Sequence, residues 1–218
     1  MSAGFHPDQV LWGVDVQRDF MLPGGALYVP GAEKIIPAIA RLVNACREAG
    51  ALLISSADAH SPTDRELLQW PPHCMKGTPG AEIVPEATLE RRLIVPNDAT
   101  FRLPATLEAV QQIIIHKNQL DVFTNPNTEA VLGALPVSGI RADAEFIVFG
   151  VVTEYCVQFA AEGLLQRGRR VAVVTDAIKE IDASKGECSL RDFQEHGARL
   201  VQVEEVIRMM AGAKRKSA

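Results

Sequence analysis

No apolar run in the chain approaches the roughly 20 residues that span a bilayer, so a membrane-embedded reading is set aside. Residues Met1 to Asp8 lack a basic segment followed by a long apolar one, and no signal peptide is expected. The four cysteines, at 46, 74, 156 and 188, show no CxxC spacing in a chain of 218 residues. That scatter excludes a disulfide framework and fits a reduced, cytoplasmic protein. Positive charge is also short. Lys and Arg number 22 against 27 Asp and Glu, a net charge of −5, which argues against nucleic acid as a partner. The basic end Ala213 to Ala218 reads as a solvated terminus. Internal repeats and low-complexity segments are absent too.

What remains is an ordinary globular composition, with 47% hydrophobic and 22% charged residues, enough for one sizeable core. A single domain over 1–218 is expected, with flexible ends at about 1–8 and 211–218. Apolar runs predict strands at Val10–Asp15, Ala51–Ser55, Ile113–Ile115, Glu145–Phe149, Arg170–Val174 and Arg199–Val203, with a weaker one at Arg92–Val95. Helical spacing falls at Ala32–Ala49, Thr128–Leu135, Tyr155–Gln166 and Leu190–Glu195. This alternation predicts an α/β fold, a mainly parallel sheet with helices on both faces. In such sheets ligands gather beyond the carboxyl ends of the strands. Asp15, Asp58, Lys117 and the turn Gly150–Cys156 all fall there. Residues 58 to 110 hold most of the prolines, and a connection that long reads in part as a site-forming loop.

Cys156 carries the sharpest signal. In Gly150-Val-Val-Thr-Glu-Tyr-Cys156 it follows a strand and a short turn and sits in the opening turn of a helical pattern. Unpaired N–H groups and the positive helix end favour thiolate there. A thiol of pKa near 8.5 is only about 3% ionised at pH 7, and lowering it to about 6 gives roughly 90%. A low-pKa nucleophile is therefore expected. Asp15 suits either a base beside that thiol or a turn cap, and Lys117 either a stabilising cation or an exposed charge. Asp58, His60, Glu66 and His73 form a mixed nitrogen and oxygen set suited to zinc, manganese or iron(II), although loops of this composition also occur without metal. Cys74, next to His73, reads as a small buried hydrophobe.

Three segments in this order, with a lysine between the last two, resemble the isochorismatase-like cysteine hydrolases, most nearly the nicotinamidases. They are Asp15-Val-Gln-Arg-Asp-Phe20 with Gly24–Gly31, then Asp58-Ala-His60 with Trp70–Gly80, and Gly150–Val157. The likeness runs from about Leu11 to Val203. It implies a three-layer α/β/α hydrolase fold and a catalytic triad of Asp15, Lys117 and Cys156. It also implies a cis Val151–Val152 peptide, and an oxyanion hole from the N–H groups of Val152 and Cys156. Asp58, His60, Glu66 and His73 would hold a divalent metal, zinc first, with iron or manganese as alternatives. Phe20 and Trp70 would hold the substrate ring, although core packing explains either aromatic as well. The implied reaction is hydrolysis of a small amide, nicotinamide to nicotinate and ammonia, through a thioester. The implied partners are that small molecule and further copies of the chain, with neither nucleic acid nor membrane.

The sequence departs from the usual nicotinamidase pattern at Glu66, where many members have histidine, and at Lys117–Pro126, which lacks their Gly and Tyr-Ser pair. Two other readings remain open: a metal-independent hydrolase of ureido, carbamoyl or other amides, and a non-catalytic binding member of the fold.

Overall fold

The computed structural model describes residues 6–107 and 109–214. Seven strands form one sheet: β1 (Gln9–Val14), β2 (Leu52–Asp58), β3 (Arg92–Val95), β4 (Gln112–Lys117), β5 (Glu145–Val151), β6 (Arg170–Lys179) and β7 (Arg199–Val201). Their order is β3-β4-β2-β1-β5-β6-β7, and every pairing is parallel. β1, β2 and β5 are buried along their whole length, which is why they do not alternate apolar with exposed polar residues.

Six helices accompany the strands: α1 (Arg18–Met21), α2 (Ile36–Ala49), α3 (Thr128–Ala134), α4 (Gln158–Gln166), α5 (Ala183–Glu195) and α6 (Val203–Lys214). Strand alternation sends side chains to two separate cores. Val10, Trp12, Val14, Ile54, Ile113 and Phe146 pack on one face with Val131 of α3, Leu164 of α4 and Phe193 of α5. Leu11, Leu53, Ile147 and Phe149 pack on the other with Ile39 and Leu42 of α2 and Val206 and Met210 of α6. The expected three-layer α/β/α architecture follows.

The differences from expectation have local causes. α5 starts two turns before Leu190, because the Asp182 carboxylate caps the N–H groups of Ser184 and Lys185. α6 was hidden by a strand expected through Val203. β7 stops at Val201, and the Asp176 carboxylate accepts the Val203 N–H at 2.9 Å where α6 begins. β6 runs on to Lys179, across a register shift opposite Val148 and Gly150. The weak strand Arg92–Val95 is real but peripheral, the edge of the sheet against β4. Residues 211–214 belong to α6, while 1–5 and 215–218 of the expected flexible ends lie outside the described residues.

Candidate active site

Strand register assembles the site. Val14, the last residue of β1, pairs with Ser56 on one side and Gly150 on the other, and Asp58 pairs with Lys117 across β2 and β4. Asp15, Asp58, Lys117 and the turn after β5 therefore meet at one carboxyl edge. The chain leaves β1 and β2 toward one end of the sheet and returns to β5 beside β1. Asp15 and the β5 turn thus flank the point where strand order reverses, the usual ligand crevice of open α/β sheets. Gly150 is required there: its φ is +119°, and a Cβ would lie 2.1 Å from the Val14 carbonyl oxygen. The Val151–Val152 peptide is cis, as the resemblance implies. Among the described residues two non-glycines have positive φ, Asp15 at 48° and Cys74 at 44°, one beside the thiol and one beside His73. Such conformations concentrate at functional sites.

Lys117 is the centre of a buried cluster. Its Nζ lies 2.9 Å from Asp15 Oδ2 and 2.5 Å from Asp58 Oδ1, and it donates to Cys156 Sγ at 3.5 Å. Ser56 Oγ donates to Asp15 Oδ1 at 2.7 Å, so both oxygens of that carboxylate are engaged. Sequence reasoning missed Ser56, although its place two residues before Asp58 on a buried strand marks a polar side chain facing the same edge.

Cys156 lies in a wide π-type turn, Thr153–Val157, that precedes α4, with Tyr155 out of helical geometry at φ −130°. The expected low-pKa thiol is overturned. Burial pushes the Cys156 thiol well above its ordinary range, and the Asp15 carboxylate adds to this against the pull of Lys117. Burial likewise raises Asp15, against Lys117. Lys117 itself stays firmly charged, because the Asp15 and Asp58 carboxylates outweigh its burial. The resting cluster thus keeps the proton on sulfur beside a carboxylate unusually ready to accept one. Among the four cysteines Cys188 is the exposed one, while Cys46, Cys74 and Cys156 are buried.

The metal-type donors converge as a second cluster sharing Asp58. One ligand atom from each of Asp58, His60, Glu66 and His73 lies within 4.8 Å of the others. His73 Nδ1 sits 2.7 Å from the Pro71 carbonyl oxygen and donates its N–H to it, which leaves Nε2 a lone pair facing Asp58 Oδ2 at 3.6 Å. His60 is fully buried, and neither of its ring nitrogens has a hydrogen-bond partner. An imidazole in that state costs free energy unless something binds it. Two imidazoles and two carboxylates suit zinc, and they fit iron(II) or manganese as well.

Two further residues hold this loop in place, and sequence reasoning gave neither a role. Gln17 donates to the Asp58 carbonyl at 2.8 Å and accepts the Asp58 N–H at 2.7 Å. Asp19 accepts the Cys74 N–H at 2.7 Å and the Ala26 N–H at 3.0 Å. Both sit in the same run as Asp15, which was the available signal.

A cavity of about 370 Å³, mouth included, is lined by Cys156 together with Asp58, Glu66 and His73. Phe20 and Trp70 line it as expected, along with Leu27, Leu120, Tyr155 and Ile181, which sequence alone did not single out. Trp70 meets Tyr155 edge-on at 5.6 Å, and Phe20 leans on the His73 ring at 5.3 Å. Cys74 is buried and takes no part in the donor group. His196 is exposed, His6 binds the Gly50 carbonyl through its backbone, and His116 lies outside the cavity lining.

Comparison with known proteins agrees with this geometry. The chain is 27% identical over 207 residues to a nicotinamidase of Escherichia coli (strain K12), covering 81% of this chain and 85% of that one. It is 31% identical over 186 residues to a nicotinamidase of Acinetobacter baylyi, covering 78% and 80%. The structure of a Pyrococcus horikoshii pyrazinamidase in complex with zinc superposes with a TM-score of 0.71 at 30% identity, over 90% of this chain and 99% of that one. The isochorismatase domain model matches residues 10–205, nearly the whole sheet and both clusters. The chain is a hydrolase of the isochorismatase family, and its relatives include enzymes that cleave amide C–N bonds.

Proposed function

We propose that the chain is a metal-containing, cytoplasmic cysteine amidohydrolase that converts a small neutral aromatic carboxamide, with nicotinamide as the leading substrate, into the acid and ammonia. The observation that carries this reading is the shared cavity. Cys156 of the buried Asp15–Lys117–Cys156 cluster, apolar and aromatic walls, and Asp58, Glu66 and His73 of the two-histidine, two-carboxylate donor set all line it. The wall chemistry selects among amides. Among the described residues lining the cavity there is no Arg or Lys, so apart from the proposed metal no cationic side chain lines it to meet a substrate's own carboxylate. That disfavours ureido or carbamoyl acids and favours a neutral ring. Four unpaired thiols support a reducing compartment.

In the mechanism, Asp15 takes the Cys156 proton as sulfur attacks the carboxamide carbon. Lys117 balances the charge that passes between them. The N–H groups of Val152 and Cys156 receive the developing oxyanion, a contribution of about 10²–10³ in rate per donor. Asp15 returns the proton to the departing nitrogen, and ammonia leaves a thioester on Cys156. Asp15 then deprotonates water, which attacks that thioester; the carbon–sulfur bond breaks, the acid is released, and Asp15 returns the proton to the Cys156 sulfur. Asp58, His60, Glu66 and His73 would hold the metal, zinc first, and the ion when bound supplies a Lewis-acidic anchor for a neutral ring nitrogen. The test is ammonia release from nicotinamide against maleamate, an amide that carries a carboxylate. Nicotinamide is expected to have the higher kcat/KM; a preference for maleamate would overturn the assignment to neutral amides.

A further inference from the structure

We propose that Asp64 is a positioning residue that fixes the orientation and tautomer of His60, an inference that rests on reading Asp58, His60, Glu66 and His73 as a metal site. The two histidines of that site are built on one plan. Each turns Nε2 toward Asp58 Oδ2, His73 at 3.6 Å and His60 at 3.8 Å, and each therefore carries Nδ1 on the far side of its ring. His73 Nδ1 is anchored by the Pro71 carbonyl at 2.7 Å. For His60 the group facing Nδ1 is a carboxylate: Asp64 Oδ2, at 3.4 Å. Asp64 stands on the side of the ring opposite Asp58 and outside the four-donor group, so it can orient the ligand without being one.

Asp64 is itself held from two directions. Its Oδ2 accepts the Ser61 N–H at 2.8 Å, and its Oδ1 accepts Asn118 Nδ2 at 3.2 Å. Asn118 Oδ1 in turn accepts Asn97 Nδ2 at 2.8 Å. Asn118 directly follows Lys117, so this chain of polar contacts ties the loop beyond β3 and the strand end bearing Lys117 to the buried imidazole. A proton on Nδ1 facing a carboxylate leaves Nε2 as the lone-pair nitrogen, and loss of such an outer partner weakens metal affinity about 10–100-fold. Neither His60 nitrogen has a hydrogen-bond partner in this geometry: Nδ1 faces the Asp64 carboxylate as a charge contact at 3.4 Å, and Nε2 faces the donor group.

The test is the zinc dissociation constant of metal-stripped protein, read by chelator competition, for wild type, Asp64→Ala and Asp64→Asn. The cobalt(II)-loaded absorption spectrum reports the ligand field. Asp64→Ala is expected to weaken zinc binding about 10–100-fold and to shift the cobalt bands. Asp64→Asn, which keeps an acceptor oxygen but loses the charge, is expected to fall between. Variants that bind zinc as tightly as wild type, with an unchanged cobalt spectrum, would overturn the role given to Asp64. Wild type that binds no zinc would overturn the metal reading beneath it.

Discussion

Lys117 Nζ lies 2.5 Å from Asp58 Oδ1, and through that pair the nucleophile cluster and the metal-donor cluster share one buried ammonium. The same nitrogen reaches Asp15 at 2.9 Å and Cys156 at 3.5 Å. Charge in one cluster is thereby felt in the other, in a region screened from water.

Replacing Lys117 should reveal that coupling. Lys117→Met leaves the buried carboxylates of Asp15 and Asp58 uncompensated. The expected loss is about 3–5 kcal/mol of unfolding free energy, together with loss of turnover. Adding Asp15→Asn to the same chain should restore part of the stability and none of the activity. Urea unfolding of the single and double variants checks both.

The pH dependence of catalysis follows from Asp15. It must be a carboxylate to accept the thiol proton, and burial holds its pKa above the ordinary aspartate value. Activity should therefore fail on acidification at a higher pH than an ordinary aspartate would give. Ser56 Oγ donates to Asp15 Oδ1 and so favours the charged form. Ser56→Ala should move the acid limb of kcat/KM upward by about one pH unit, since a hydrogen bond to a charged group contributes about 1.5–3 kcal/mol.

Stability at high pH should be limited by buried thiols. Burial pushes Cys46 up to about 12, whereas an unfolded thiol titrates near 8.5. The folded chain keeps a proton that the unfolded chain loses. The contribution is fully present below about pH 8.5 and declines as pH rises toward the folded value, at about 1.4 kcal/mol per unit. By pH 10 that amounts to about 2 kcal/mol. Cys46→Ala should flatten the profile between pH 8.5 and 10 by this amount; an unchanged slope would contradict it.

The metal loop should be sensitive at a position with no chemistry of its own. A Cβ on Gly80 would lie 2.2 Å from the Asp19 carboxylate, the group that accepts the Cys74 N–H beside His73. Gly80→Ala should displace Asp19 and weaken zinc binding at least tenfold, measured on metal-stripped protein by chelator competition.

How much of this was legible in the sequence follows from what each residue does. Asp15, Lys117 and the Cys156 turn each end or follow an unbroken apolar run, and a parallel sheet gathers such positions at one edge whatever the loops between them do. Strand existence was equally plain, because both faces of β1, β2 and β5 are buried. The titration state of Cys156 was not legible. It depends on burial and on Asp15, both set by tertiary packing, and these outweigh the helix-end argument. Asp64, Asn118 and Gln17 were missed for a related reason: their roles rest on hydrogen bonds between distant positions, 41 apart for Gln17 and Asp58 and 54 apart for Asn118 and Asp64, which no local period records. α6 was lost because β-branched Val201 and Val203 flank its start, and the Asp176 carboxylate that marks the boundary comes from β6.

Ammonia release from nicotinamide, measured for wild type and Cys156→Ala with and without a chelator, tests the central assignment most directly. Turnover in wild type that falls with chelator, returns with added zinc and is absent in folded Cys156→Ala is the expected result. Turnover retained by Cys156→Ala, or none in folded, zinc-loaded wild type, would contradict it.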